Sequence, residues 1–173
     1  SNASRGLGDV YKRQVTSWSM ARIALLGTGL LGGAIGRRLL ERGHQLEVWN
    51  RTPAKSQALL ESGATAITSL PGSARDCDTV ISVLRDGPAS SAVLRELGDL
   101  NSACVMSMGT MAIAESQALE QQISNQNGDY LEAPVLGSRP EALKGSLLVM
   151  AGGNPELFER QNPILQTLSA EPR

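Results

Sequence analysis

Gly27, Gly29 and Gly32 stand at the spacing G-x-G-x-x-G, directly after the apolar run Arg22-Ile23-Ala24-Leu25-Leu26. Glycines so placed let the backbone turn sharply, approach a ligand closely and pack a helix against a strand. The run before them reads as a strand buried on both faces. After them Leu31, Ile35 and Leu39 recur four apart, with Ala34 on the same face, which predicts a helix from about residue 30. Gly32, Gly33 and Gly36 within that helix each forgo roughly 1 kcal/mol of preference relative to alanine. A backbone that must lie close to something explains this cost. Main-chain N–H groups at such a helix start hold phosphate charge, so the stretch reads as a dinucleotide-binding loop. Gly27, Thr28, Gly29, Leu30 and Leu31 are its candidate cofactor-binding residues. For the motif alone, a glycine-rich turn of purely structural use is the plainer alternative.

The next element strengthens the nucleotide reading. Asn50 lies 21 positions after Gly29, at the end of a second strand, where an acidic residue commonly meets the ribose 2′-hydroxyl of NAD. Here the segment is Asn50-Arg51-Thr52. Asparagine can bond a ribose without repelling a phosphate, Arg51 adds a planar cation suited to a 2′-phosphate, and Thr52 adds a donor. NADP(H) is therefore expected in preference to NAD(H).

Length and composition set the frame. A chain of 173 residues is expected to form one domain. With 41% apolar and only 3% aromatic residues its core is aliphatic, as in α/β proteins. A net charge of −1 with no basic run argues against nucleic acid, and no apolar segment reaches the ~18 residues that span a bilayer. Cys77 and Cys104 are too few and too far apart for a disulfide framework or metal site, and read as inert core thiols of a reducing cytoplasm. Residues 1–19 are polar and patternless, begin Ser1-Asn2-Ala3, and read as an expression-tag or cloning-derived leader outside the fold. Without them 13 basic residues face 16 acidic ones.

From Met20 onward strand and helix patterns alternate. Strands are expected at 22–27, 45–50, 64–67, 78–84 and 103–107. Helices are expected at 30–42, 53–62, 69–75, 88–97 and 112–126. A further strand at 129–134, a loop and short helix over 136–145, a strand at 146–151 and a helix capped by Asn154 running to Leu168 complete residues 20–173. This alternation predicts an α/β, doubly wound, Rossmann-type and mostly parallel sheet, with extra strands at one edge.

Three blocks together carry a resemblance. The first runs from the glycine loop through Gly43-His44 to Asn50-Arg51-Thr52. The second is Gly109-Thr110-Met111-Ala112-Ile113. The third is Leu131-Glu132-Ala133-Pro134-Val135-Leu136-Gly137-Ser138, followed by Lys144-Gly145-Ser146-Leu147 and Gly152-Gly153. In this order and spacing the chain resembles the amino-terminal domain of the β-hydroxyacid dehydrogenases, the group of 3-hydroxyisobutyrate dehydrogenase and the glyoxylate/succinic semialdehyde reductases. The resemblance implies hydride transfer between NADPH and a small aldehyde or keto acid. It implies that Leu84 and Arg85 pass near the cofactor, that Thr110 lies on the nicotinamide side, and that Val135, Leu136, Gly137 and Ser138 touch a small-molecule substrate. Small residues at that strand-to-helix junction would leave N–H groups free for a carboxylate, with the Ser138 hydroxyl beside them.

The family takes its catalytic lysine from a glycine-rich helix beyond the nucleotide domain and completes its pocket with an all-helical domain. Neither is expected within these residues, so no catalytic residue is assigned and the stretch should bind cofactor without turnover. Lys144, His44, Asp76, Asp78 and Asp86 have no acid–base arrangement legible in the sequence. The family commonly has serine where Leu136 stands, and serine and proline where Gly109 and Ile113 stand. A more apolar pocket, as in the related imine reductases, is therefore a second reading, and a non-catalytic nucleotide-binding module a third. Self-association into a homo-oligomer is also an expectation.

Overall fold

The computed structural model describes residues 20–169, so the leader reading for residues 1–19 lies outside the described residues. β1 (Arg22–Leu26) leads to α1 (Leu30–Glu41), then β2 (Gln45–Trp49), a 3₁₀ turn (Pro53–Ser56) with the short α2 (Gln57–Glu61), and β3 (Thr65–Ala66). β4 (Thr79–Ser82), α3 (Gly87–Glu96), β5 (Cys104–Ser107), α4 (Ile113–Asn125) and β6 (Asp129–Glu132) follow. β7 (Val135–Leu136), α5 (Arg139–Lys144), β8 (Leu148–Val149) and α6 (Pro155–Leu168) complete the described elements.

Six strands form one parallel sheet in the order β3-β2-β1-β4-β5-β6. The order turns back between β1 and β4, and open α/β sheets bind ligands at such a switch point. The inner strands are buried on both faces, which is why they read as unbroken apolar runs. Ile23 and Leu25 face one way, onto Ile35 and Leu39 of α1 and Leu165 of α6. Ala24, Leu26 and Val80 face the other, onto Leu94 of α3 and Leu119 and Ile123 of α4. Gly43, at φ +86°, stops α1 in the left-handed conformation that glycine adopts without strain.

Three local expectations are corrected. Residues 71–76 form consecutive turns instead of the helix expected at 69–75, because Pro71 and Gly72 (φ +76°) interrupt it. Leu70 and Ala74 still reach the core. The strand expected at 146–151 shrinks to β8, which pairs antiparallel with the unforeseen β7 in a separate ribbon. Only β6 extends the main sheet, and a Glu132–Gly152 bridge ties the ribbon's trailing segment to it. The two thiols are buried as expected, and burial pushes each up to about 12. Among the described residues no helix is long and apolar enough to cross a membrane.

One buried polar pair fastens α6 to the sheet. Thr79 Oγ1 donates to Gln161 Oε1 at 2.7 Å, both side chains being shielded from water. Thr79→Val keeps the shape but orphans the Gln161 oxygen, which costs roughly 1–3 kcal/mol. At about 2–4 °C per kcal/mol for a chain of this size, thermal unfolding should show a clear drop. An unchanged midpoint would show that the pair contributes nothing.

Candidate nucleotide-binding site

The turn from β1 into α1 is shaped by its three motif glycines, each for a different reason. Gly27 sits at φ +98°, and a Cβ there would stand 2.2 Å from the Val83 carbonyl oxygen. Its N–H donates to Trp49 O at 2.8 Å, drawing the turn against the end of β2. A Cβ on Gly32 would meet the Gly27 carbonyl oxygen at 2.0 Å, so helix and strand approach as closely as backbones can. A Cβ on Gly29 would meet no protein atom within 4 Å, so the space above it is open to a ligand. Gly29 also caps α1 with no side-chain bond, and no acidic residue occupies the first helical turn. Among the described residues the opening N–H groups of α1 thus have no acceptor, while the helix dipole places partial positive charge there. This arrangement fits a pyrophosphate.

Asn50 braces the loop. Its Oδ1 accepts the Thr28 N–H at 2.9 Å, and its Nδ2 donates to Thr52 O at 3.0 Å. Beyond it a cleft of about 450 Å³ opens between the glycine turn, the tip of β2 and the start of α3. It gathers Gly27, Gly29, Asn50, Arg51, Thr52, Leu84 and Arg85 from the expected set. Trp49, Lys55, Val83 and Val93 also line it. Among the described residues none of its lining is Asp or Glu, while Arg51, Lys55 and Arg85 all are cationic. Arg85 Nε donates to Asp86 Oδ2 at 2.8 Å. The Asp86 carboxylate caps α3 through the Ala89 N–H, and that bond, more than the arginine, holds its carboxyl below the usual range.

The remaining expected residues fall elsewhere. Thr28 is buried, its hydroxyl 3.0 Å from Ser56 Oγ, and it lines a groove behind the turn. Leu30 projects into solvent at the mouth of that groove, and Leu31 packs half-buried against the core. Thr110 is exposed on the loop after β5 and does not line the cleft. That loop nonetheless abuts the β4 loop, since a Cβ on Gly109 would stand 2.9 Å from the Leu84 carbonyl oxygen. In the third block Leu136 is 57% exposed and Val135 half-buried, while Gly137 turns at φ +132°. Ser138 is already engaged: its N–H and its hydroxyl both donate to Glu141 Oε2, at 2.7 and 2.6 Å. Those bonds hold the Glu141 carboxyl below its ordinary range.

Sequence reasoning missed Lys55. Its only signal was the third position after Thr52, and a 3₁₀ turn opened by Pro53 is what brings it back to the cleft.

Residues 22–172 match the profile of the family described as the NAD binding domain of 6-phosphogluconate dehydrogenase. The chain belongs to this family. Its relatives include reductases and dehydrogenases. Glyoxylate/succinic semialdehyde reductase 1 of Arabidopsis thaliana is 32% identical over 151 residues, covering 84% of this chain and 52% of that enzyme. Among solved structures, 3-hydroxyisobutyrate dehydrogenase of Mycobacterium tuberculosis superposes at a TM-score of 0.81 with 22% identity, over 89% of this chain and 54% of its own. An imine reductase from Pseudomonas sp. superposes at 0.84 with 21% identity, over 90% and 55%. These two likenesses carry the fold alone. The chain spans about half the length of each of these three proteins.

Proposed function

We propose that these residues form the NADP(H)-binding domain of a reductase that acts on a small aldehyde or keto acid. The observation that carries this reading is the acceptor-free start of α1 beside a cleft with three cations and no carboxylate lining it. The N–H groups at the start of α1 would hold the pyrophosphate over Gly29. Arg51, Lys55 and the Thr52 hydroxyl would take the adenosine 2′-phosphate. Leu84, at the cleft, and the Thr110 loop behind it would pass under the nicotinamide end. When bound, the cofactor supplies a hydride, and the protein's share is to orient the ring and exclude water.

Calorimetry with both cofactors tests the 2′-phosphate assignment. Arg51→Ala should weaken NADPH about 10- to 100-fold, since a hydrogen bond to a charged group contributes roughly 1.5–3 kcal/mol. NADH should change less than about threefold, because a single exposed side chain without a phosphate partner contributes little. Equal losses for both cofactors would remove the assignment.

A second substrate reading has its own support. The exposed Leu136 and the Glu141 carboxylate that occupies both Ser138 donors make the third block less receptive to a substrate carboxylate. This favours an imine reductase-like parent. Assaying the protein on semialdehydes and cyclic imines side by side separates the two.

A further inference from the structure

Behind the glycine turn, on the face of the sheet away from α3 and α4, α1 lies in a valley between α2 and α5. A groove of about 360 Å³ runs along it, within the roughly 300–1,000 Å³ range of small-molecule sites. Its floor is apolar: Ala34 and Leu59 are buried, and Leu143 of α5 forms a half-buried wall. Its rim is cationic. Arg37, Lys55 and Arg139 line it, and among the described residues no Asp or Glu does. Arg37 is held by Glu41 one turn along α1, at 3.2 Å. Lys55 and Arg139 have no salt bridge among the described residues. Leu30, 83% exposed, stands at the mouth.

The chain elsewhere pairs several of its exposed cations: Arg75 with Asp99, Arg85 with Asp86 and Arg160 with Asp129. Lys55 and Arg139, like Arg51 at the cleft, have no such partner among the described residues, and they stand over an apolar floor on a protein whose net charge is negative. Such a surface attracts a group carrying both an anionic head and an apolar body. The cations compensate the head, and the floor removes the body from water at about 25 cal/mol per Å².

We propose that this groove, which adjoins the nucleotide cleft and shares Gly29 and Lys55 with it, is a second ligand site for a small organic anion with an alkyl or aryl body. The head sits between Arg139 and Lys55, and the body lies along Ala34, Leu59 and Leu143. Gly29 and Lys55 also line the nucleotide cleft, so the assignment is tested in nucleotide-free protein.

The probe is sodium octanoate, titrated into the ¹⁵N-labelled protein and followed by amide shifts, with acetate and octylamine as controls. Octanoate should give saturable shifts on α1, α2 and α5, while acetate lacks the body and octylamine, an ammonium cation at neutral pH, carries the opposite charge. Arg139→Ala should weaken octanoate at least fivefold with the amide spectrum otherwise intact. Leu143→Ser should weaken it through the apolar wall. The proposal falls if octanoate does not saturate below 10 mM (about −2.7 kcal/mol of binding free energy), if octylamine binds equally well, if the shifts centre on Trp49 and Leu84, or if Arg139→Ala leaves the affinity unchanged.

Discussion

Gly29→Ala and Gly32→Ala should fail in opposite ways. A methyl group at position 29 meets no protein atom, so stability should stay within about 1 kcal/mol of the parent. It nevertheless enters the space above the opening N–H groups of α1, so NADPH affinity should fall about 100-fold, near 2.7 kcal/mol. At position 32 the new carbon lands on the Gly27 carbonyl, a backbone atom that no rotamer change can move aside. Helix and strand must then separate. Overpacking of this kind costs roughly 1–3 kcal/mol or more, against the roughly 1 kcal/mol that alanine gains as a helix former. Gly32→Ala should therefore lower the unfolding midpoint and abolish detectable nucleotide binding together. Calorimetry and thermal melts on the two variants decide the matter. Normal NADPH affinity in Gly29→Ala would show that the phosphates do not lie over that residue.

Acid should weaken the fold through one side chain. His44 is the sole histidine of the chain and is only 6% exposed. Its Nδ1 accepts the Ala21 N–H at 3.3 Å, which leaves the ring proton on Nε2. That N–H donates to Thr167 Oγ1 at 3.2 Å, and the hydroxyl passes its own proton to Pro163 O at 3.1 Å. A second ring proton would confront the Ala21 N–H. Burial accordingly lowers the His44 pKa below its ordinary value of 6.5. As pH falls the unfolded chain takes up this proton first, so the unfolded state binds more protons. The contribution is complete above pH 6.5 and is lost as pH drops from there through the lowered folded value. Urea midpoints measured between pH 8 and 5.5, where most carboxylates stay ionised, should decline at the acid end. His44→Gln should start lower by roughly 1 kcal/mol and show a flatter profile. Parallel slopes for the two proteins would assign the acid sensitivity to other groups.

These contrasts show how the chain's legibility was distributed. The glycine turn could be read because each glycine meets a steric demand that no other residue satisfies, and such demands appear at fixed spacing. The parallel sheet could be read because strands buried on both faces leave unbroken apolar runs. Arg51 could be read from its place at the strand end. Lys55 could not, since its approach depends on how tightly the chain turns after Pro53. The engagement of Ser138 by Glu141 was equally hidden: Ser-x-x-Glu reads as a helix start, yet in this fold it also withdraws two donors from the loop expected to receive substrate. The β7–β8 ribbon escaped notice because two-residue strands carry no periodicity.

The ends of the sheet have a consequence for how copies of this protein can meet. On one side the outermost strand, Thr65–Ala66, is too brief to template a neighbour. On the other, Gly152 exchanges two main-chain hydrogen bonds with Glu132, at 3.2 and 2.7 Å, and so covers the last residue of β6. Among the described residues, a chain adding to this sheet would meet a two-residue strand at one end and a strand already bridged at Glu132 at the other.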